Sequence, residues 1–232
     1  MKLAPVRHTR ARLFENDFLE SCSKVHPRTP LLFWGPVVLG LGGWSIHAKV
    51  TTWLALLGGF ILGVFVWMGM EYGLHRFIFH WEGRGRRSRR FHEILHGYHH
   101  RHPDDTERLV MPLGASIPIA VVVSAVLWAF HAPWLTVPCF CGIVSAYLAY
   151  DYTHYFSHAR RPRTALGRRL RAYHLAHHFV CPDKNFGITN SWVDRCMGTS
   201  RIPGGHDRAT RGHPALSPSE GPPPRDADRT SR

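Results

Sequence analysis

Acidic residues are scarce in this chain. Its 232 residues include 16 Asp and Glu against 29 Lys and Arg, for a formal charge of +13. Cysteine is scarcer still. There are five, an odd number with no zinc-finger spacing, which argues against a disulfide framework and for reduced thiols. The first thirty residues contain no apolar run, so no cleavable signal peptide is visible. Polar ligands are almost missing from the interior of the long apolar blocks. That disfavours a transporter, which would place them at mid-membrane.

What is present is apolar and segregated. Hydrophobic residues make up 44% of the chain and fall in four blocks, 31–46, 52–70, 113–130 and 133–150. A bilayer core takes about 20 apolar residues to cross. The second and fourth blocks meet that length. The first is short and interrupted by glycines and Pro36, which predicts a tilted or partly inserted segment. Short connectors join the first block to the second and the third to the fourth, so each pair reads as a helical hairpin. Lys49 is the one basic residue in those two connectors; the others precede the first block, lie in 76–110 or follow Tyr155. All the long polar segments therefore face one side, the cytoplasm, and the basic excess reflects topology and anionic headgroups rather than nucleic acid. A prokaryotic chain of this kind would sit in the inner membrane. The stretch RLFENDFLESCSKV, 12–25, is weakly amphipathic and reads as a surface or solvated helix. The expected division is an N-terminal segment 1–30, a membrane-embedded unit 31–200 and a disordered tail 201–232 rich in Pro, Gly and Arg.

The chain has 18 histidines. Ten form four clusters just beyond the membrane blocks: His75 and His80; His96, His99 and His100; His154 and His158; His174, His177 and His178. Residues three and four apart share a helix face, so each H-x-x-H-H predicts three imidazoles pointing one way. A second helix continued to His80 would be about 43 Å long, enough to lift His75 and His80 out of a core of roughly 30 Å. Those two are five apart, about 140° around an α-helix. They either serve different metals or lie where the helix distorts. Sixteen residues separate His80 from His96, and His158 from His174. The two halves therefore look alike, and a site built from both is expected. Ten imidazoles suit two ions with about five nitrogens each, of iron, zinc, copper or nickel. His92 and His102 fall outside the repeated spacing, and His8, His26, His47, His131, His206 and His213 read as ordinary. Asp151, three before His154, could accept an imidazole N–H. Glu71, one turn before His75, would be costly in lipid if unpaired. Tyr98, Tyr150 and Asn185 are further candidates around the metal ligands.

The segments EYGLHRFIFH, FHEILHGYHHRHPDDTERLVMP, YDYTHYFSH, YHLAHHF and NFGITNSW together resemble the fatty acid hydroxylase/sterol desaturase superfamily over about 54–199. HRFIFH and ERLVMP are most similar to its fatty acid 2-hydroxylase branch. Leu113 stands where that branch often has a second proline, and WVDRCMGT is a looser match. The resemblance implies an all-α integral membrane fold, with four transmembrane helices in two hairpins under a cytoplasmic helical cap that holds a histidine-rich dimetal site. It implies that the ten clustered histidines bind two iron ions, with dioxygen as cosubstrate and no haem. The reaction would be hydroxylation of a lipid C–H bond, at carbon 2 of a long acyl chain. Zinc has no redox chemistry and would fill such a site without turnover. Members of this branch often carry a cytochrome b5 domain with His-Pro-Gly-Gly, which the leader lacks. The resemblance therefore implies a separate ferredoxin- or cytochrome b5-like donor with its reductase. Competing readings are a carotenoid or sterol hydroxylase or desaturase of the same superfamily and a non-redox metal-binding membrane protein. A zinc hydrolase is set aside on the expectation that the chain has no functional H-E-x-x-H.

Overall fold

The short stretch around Thr52 shows how the long helices begin. Its hydroxyl accepts the Ala55 N–H, capping an apolar run that has no other start signal. The computed structural model describes residues 11–201, and all regular elements among them are helical. In chain order the α-helices are α1 (Asp17–Ser23), α2 (Thr29–His47), α3 (Trp53–Gly73), α4 (Arg86–His92), α5 (Tyr98–Arg101), α6 (Leu113–Trp128), α7 (Pro133–Ala159), α8 (Ala165–Phe179) and α9 (Trp192–Cys196), with π turns at Leu74–Phe79 and Glu93–Gly97 and a 3-10 turn at Thr106–Arg108. The expected disordered tail lies, apart from Arg201, outside the described residues.

Four stretches are long and apolar enough to cross a bilayer: Thr29–His47, Trp53–Phe79, Thr106–Trp128 and Pro133–Ala159. They correspond to the four apolar blocks. The first is not broken at Pro36. α2 runs through it for 19 residues, about 28 Å at 1.5 Å per residue. One lost backbone hydrogen bond is tolerated where an apolar surround offers the chain no better conformation. Large side chains such as Trp53, Leu54, Leu57, Phe65, Val121 and Val122 point outward and stay exposed. Lipid would cover such a surface.

The helices are organised around α7. α3 runs parallel to it, and small residues let the two backbones touch. A Cβ on Gly63 would lie 2.1 Å from the Cys139 carbonyl oxygen, and one on Gly142 would lie 2.1 Å from that of Phe60. Farther along, Trp67 meets Tyr147 and Tyr150 edge-on at 5.5 Å. Close approach at small residues is how helices pack where lipid removes the hydrophobic drive. α2 and α6 run antiparallel to α7. Tyr152 Oη donates to Pro27 O at 2.7 Å, Thr51 Oγ1 to Trp134 O at 2.8 Å, and Met111 N to Asp151 Oδ1 at 3.0 Å. Trp34 Nε1 joins α2 to Ser116 of α6 at 3.2 Å. The tightest packing is thus between α3 and α7, members of different connector pairs. The C-terminal ends of α3 and α7 consequently emerge side by side, next to α4, α5, α8 and α9. The N-terminal segment covers part of this layer: Glu20 accepts the Leu13 and Phe14 N–H groups at 3.0 Å and pairs with Arg108. All five cysteines are free.

Candidate metal centre

α3 does not stop at Gly73. Leu74–Phe79 continues it as a π-helical turn, and the His80 N–H reaches the His75 carbonyl at 3.2 Å. A turn that bonds to the fifth residue back brings residues five apart onto one face. The helix therefore distorts where the sequence allowed it to, and the rings of His75 and His80 lie 5.1 Å apart in one site. A second π turn, Glu93–Gly97, leads into α5 and sets the aim of His96. His154 and His158 leave the last turns of α7, and His174, His177 and His178 line α8.

The ten imidazoles divide into two groups of five. The first is His75, His80, His96, His100 and His177; the second is His99, His154, His158, His174 and His178. Within each group the nearest nitrogens all lie within 4.8 Å of one another. The division follows an interleaved two-fold pattern. Each group takes the spaced pair of one half, the outer histidines of that half's H-x-x-H-H, and the middle histidine of the other half's. This corrects the expectation that each H-x-x-H-H aims three rings one way: His99 and His177 cross over. The rings of His100 and His178 stack at 4.2 Å where the groups meet.

The nitrogens that face inward are Nε2. In the first group they approach at 3.0 Å for His75–His96, His96–His100 and His80–His177. In the second they approach at 2.8 Å for His99–His154, 3.0 Å for His99–His178 and 2.7 Å for His158–His174. Nitrogens bound about 2.0–2.1 Å from one ion can lie at most about 4.2 Å apart, and these approaches fall inside that limit. Backbone carbonyls fix several tautomers. His75 Nδ1–H donates to Phe186 O at 2.6 Å, His177 Nδ1–H to Lys184 O at 2.7 Å, and His154 Nδ1–H to Leu109 O at 3.0 Å. Their Nε2 atoms then present lone pairs. Charge does not relieve this convergence. Burial, then neighbouring imidazoles, pushes His96, His99, His174 and His178 well below the ordinary histidine range. The same causes hold His80 and His100 at about 3. Neutral imidazoles converging their lone pairs suit a cation between them, so the residues fit one metal ion per group.

Among the described residues, the other candidates make no hydrogen bond to the ten grouped imidazoles. Asp151 does not bond His154; it accepts the Met111 N–H, because the His154 Nδ1–H is already taken by Leu109. Glu71 is paired, by the Ile188 and Thr189 N–H groups and the Thr189 hydroxyl. Tyr98 donates to Asp105 Oδ2 at 2.9 Å. Tyr150 lies parallel to the His154 ring at 6.3 Å. Asn185 is buried with φ +59° and binds Arg201 through both backbone groups. Its left-handed turn separates the two carbonyls, Lys184 and Phe186, that orient His177 and His75. Sequence reasoning missed Leu109, Lys184 and Phe186, because a carbonyl acceptor leaves no side-chain signature.

His92 and His102 lie outside both groups. His92 Nδ1 meets Phe79 O at 2.7 Å, and the His102 ring lies tilted against that of Tyr98 at 4.7 Å. The expected absence of H-E-x-x-H needs correction: HEILH, 92–96, carries that form, and what excludes a zinc hydrolase is its geometry. A π turn separates His92 from His96, His92 turns away, and Glu93 pairs with Arg101. The two-histidine face such hydrolases need is not formed.

A largely apolar cavity of about 780 Å³ ends on this centre. Its lining includes Leu13, Phe14, Pro112 and Ile119 together with His96, His99 and His154. It thus touches both groups.

The fatty acid hydroxylase family model matches residues 60–199. The dihydroceramide fatty acyl 2-hydroxylase FAH2 of Arabidopsis thaliana is 36% identical over 194 residues, covering 83% of this chain and 80% of that protein. The fatty acid 2-hydroxylase of Homo sapiens is 31% identical over 215 residues, covering 81% of this chain and 56% of that protein. A solved structure of full-length scs7p, in which only the hydroxylase domain is visible, superposes with a TM-score of 0.74 at 33% identity. The match covers 79% of this chain and 69% of that one.

Proposed function

This chain belongs to the fatty acid hydroxylase family, and from that membership we propose that it inserts one oxygen atom at carbon 2 of a long acyl chain in a membrane lipid. It is a multi-pass membrane enzyme of the hydroxylating class. The observation that carries the substrate reading is the apolar cavity, whose lining includes histidines of both groups. A site at the membrane edge reaches the first methylene beyond a carboxyl carbon while the tail stays in the core. The relatives' names, fatty acyl 2-hydroxylase and fatty acid 2-hydroxylase, agree with that position.

The ten histidines would hold two ions, five nitrogens each, and we assign iron. Bound iron supplies, with dioxygen, the oxidising power that an unactivated C–H bond requires and that zinc lacks. The chain's own residues do the rest. Leu109, Lys184 and Phe186 hold protons on Nδ1 so that Nε2 is free to bind. Leu13, Phe14, Pro112 and Ile119 exclude water and line up the acyl chain, and such positioning can supply a large share of the rate. Per turnover, dioxygen, two electrons and two protons convert C–H to C–OH and release water. A separate ferredoxin- or cytochrome b5-like carrier with its reductase would deliver the electrons. The charge asymmetry supports two hairpins, α2–α3 and α6–α7, within a unit spanning 31–200, with the histidine layer on the cytoplasmic face.

The test is isotope-labelled dioxygen fed to cells expressing the chain, followed by lipid hydrolysis and mass spectrometry. One labelled oxygen on carbon 2 is expected, lost in His178→Ala. Label in sterols or carotenoids alone would overturn the substrate. No label in any lipid, with a reducing partner present, would return the protein to non-redox metal binding.

A further inference from the structure

Glu71 and Asp151 are buried carboxylates, each 2% exposed, and neither makes a hydrogen bond to an imidazole. Each instead grips a loop. Glu71 Oε1 accepts the N–H groups of Ile188 at 2.5 Å and Thr189 at 2.8 Å, and its Oε2 accepts the Thr189 hydroxyl at 2.5 Å. The Asp151 oxygens accept the Met111 N–H at 3.0 and 3.3 Å. Two residues before the Ile188 and Met111 N–H groups is a carbonyl that orients a histidine: Phe186 for His75 and Leu109 for His154. One device thus occurs twice. A carboxylate three or four residues before a histidine, on the same helix, holds a loop whose carbonyl takes that histidine's Nδ1 proton.

The loops are exchanged between halves. The 109–111 loop follows the first H-x-x-H-H and serves α7. The 185–189 loop follows the second and serves α3. Loop N–H groups buried without a regular ladder need acceptors, and a buried carboxylate needs donors. Each requirement answers the other. Freed from its carboxylate, the loop can withdraw the carbonyl, and the imidazole loses both its tautomer and its aim.

We infer that Glu71 and Asp151 are positioning residues, each dedicated to one metal group: Glu71 to the first through Phe186 and His75, and Asp151 to the second through Leu109 and His154. The inference rests on the metal-binding reading of the two groups. Asp194 also holds the 185–189 loop, accepting the Phe186 N–H at 2.9 Å and the Gly187 N–H at 2.7 Å. Loss of Glu71 therefore frees one side of that loop only. Among the hydrogen bonds described, the Met111 N–H has no second acceptor, so the Asp151 effect should be the larger.

The test uses the full chain in detergent with zinc as a redox-silent probe, so that the readout is metal affinity and not turnover. His80→Ala disables the first group and His158→Ala the second, isolating one ion in each background. Glu71→Ala should weaken zinc binding in the His158→Ala background by about 10–100-fold, the usual cost of losing an outer partner. It should leave binding in the His80→Ala background unchanged. Asp151→Ala should do the reverse. Glu71→Gln and Asp151→Asn keep an oxygen for the same N–H groups and should restore the original affinities. Should Glu71→Ala lose helix content by circular dichroism, Thr189→Val, which removes one of the three hydrogen bonds, carries the test with a smaller loss confined to the first group. Equal weakening of both groups, weakening of neither, or amides no better than alanine would overturn the inference. Absence of zinc binding at both groups in the unsubstituted chain would overturn the metal reading and the inference with it.

Discussion

The two histidine groups share one plan and differ in how firmly they are held. In the first, His75 and His177 are both oriented by carbonyls of the 184–186 stretch. In the second, His154 alone has such a partner among the hydrogen bonds described, while His99, His174 and His178 have buried Nδ1 atoms with no protein partner. The swapped middle histidines show the contrast directly, since His177 is anchored and His99 is not. Equal ligand counts therefore do not imply equal sites. The first group is preorganised by its outer contacts, and preorganisation of this kind is worth about 10–100-fold in metal affinity.

The largest effect is expected from the crossed residues. His177→Ala should deplete the ion of the first group, although His177 belongs by sequence to the second half; His99→Ala should deplete the second. Both should abolish hydroxylation. Combining each with His80→Ala or His158→Ala and counting metal per chain assigns the loss. Loss assigned by sequence half instead would break the interleaved pattern.

A smaller effect separates the groups by strength. Titration with a chelator should strip metal in two steps, with affinities about tenfold or more apart. The weaker step should vanish in His158→Ala and the tighter one in His80→Ala. A single step, or the reverse order, would contradict the difference in anchoring.

Gly142→Ala should treat both groups alike. The new methyl would lie 2.1 Å from the Phe60 carbonyl oxygen at the α3–α7 contact, and overpacking of this kind costs about 1–3 kcal/mol. Thermal unfolding in detergent should fall accordingly, with no preferential loss of either ion. At Gly69 an added methyl meets nothing within 4 Å. Its alanine variant should change stability by no more than about 1 kcal/mol, toward stabilisation. The smallest effects should come from His92→Ala and His102→Ala, which lie outside both groups and should leave metal content unchanged.

Much of this was legible in the sequence. The four long helices follow from apolar blocks, and all ten grouped histidines from spacing. Their allocation was not. H-x-x-H-H on a regular helix predicts one shared face, whereas His99 and His177 are drawn across because the two halves pack against each other. The joint placement of His75 and His80 depends on a π turn, which no residue in LHRFIF announces. The hydrogen-bond partner of Asp151 was hidden for a similar reason. Its donor, Met111, is 40 residues away and contributes a backbone N–H, so only the packed α6–α7 ends reveal it. The continuity of α2 through Pro36 was also hidden, because a proline's cost is judged against alternatives that the surroundings remove.

The central claim is that ten histidines make two separate nitrogen-only sites. Iron quantified per purified chain, together with X-ray absorption at the iron edge, tests it most directly. Two irons per chain are predicted, each with about five imidazole nitrogens and no protein carboxylate. One iron per chain, or a shell rich in carboxylate oxygen, would contradict it.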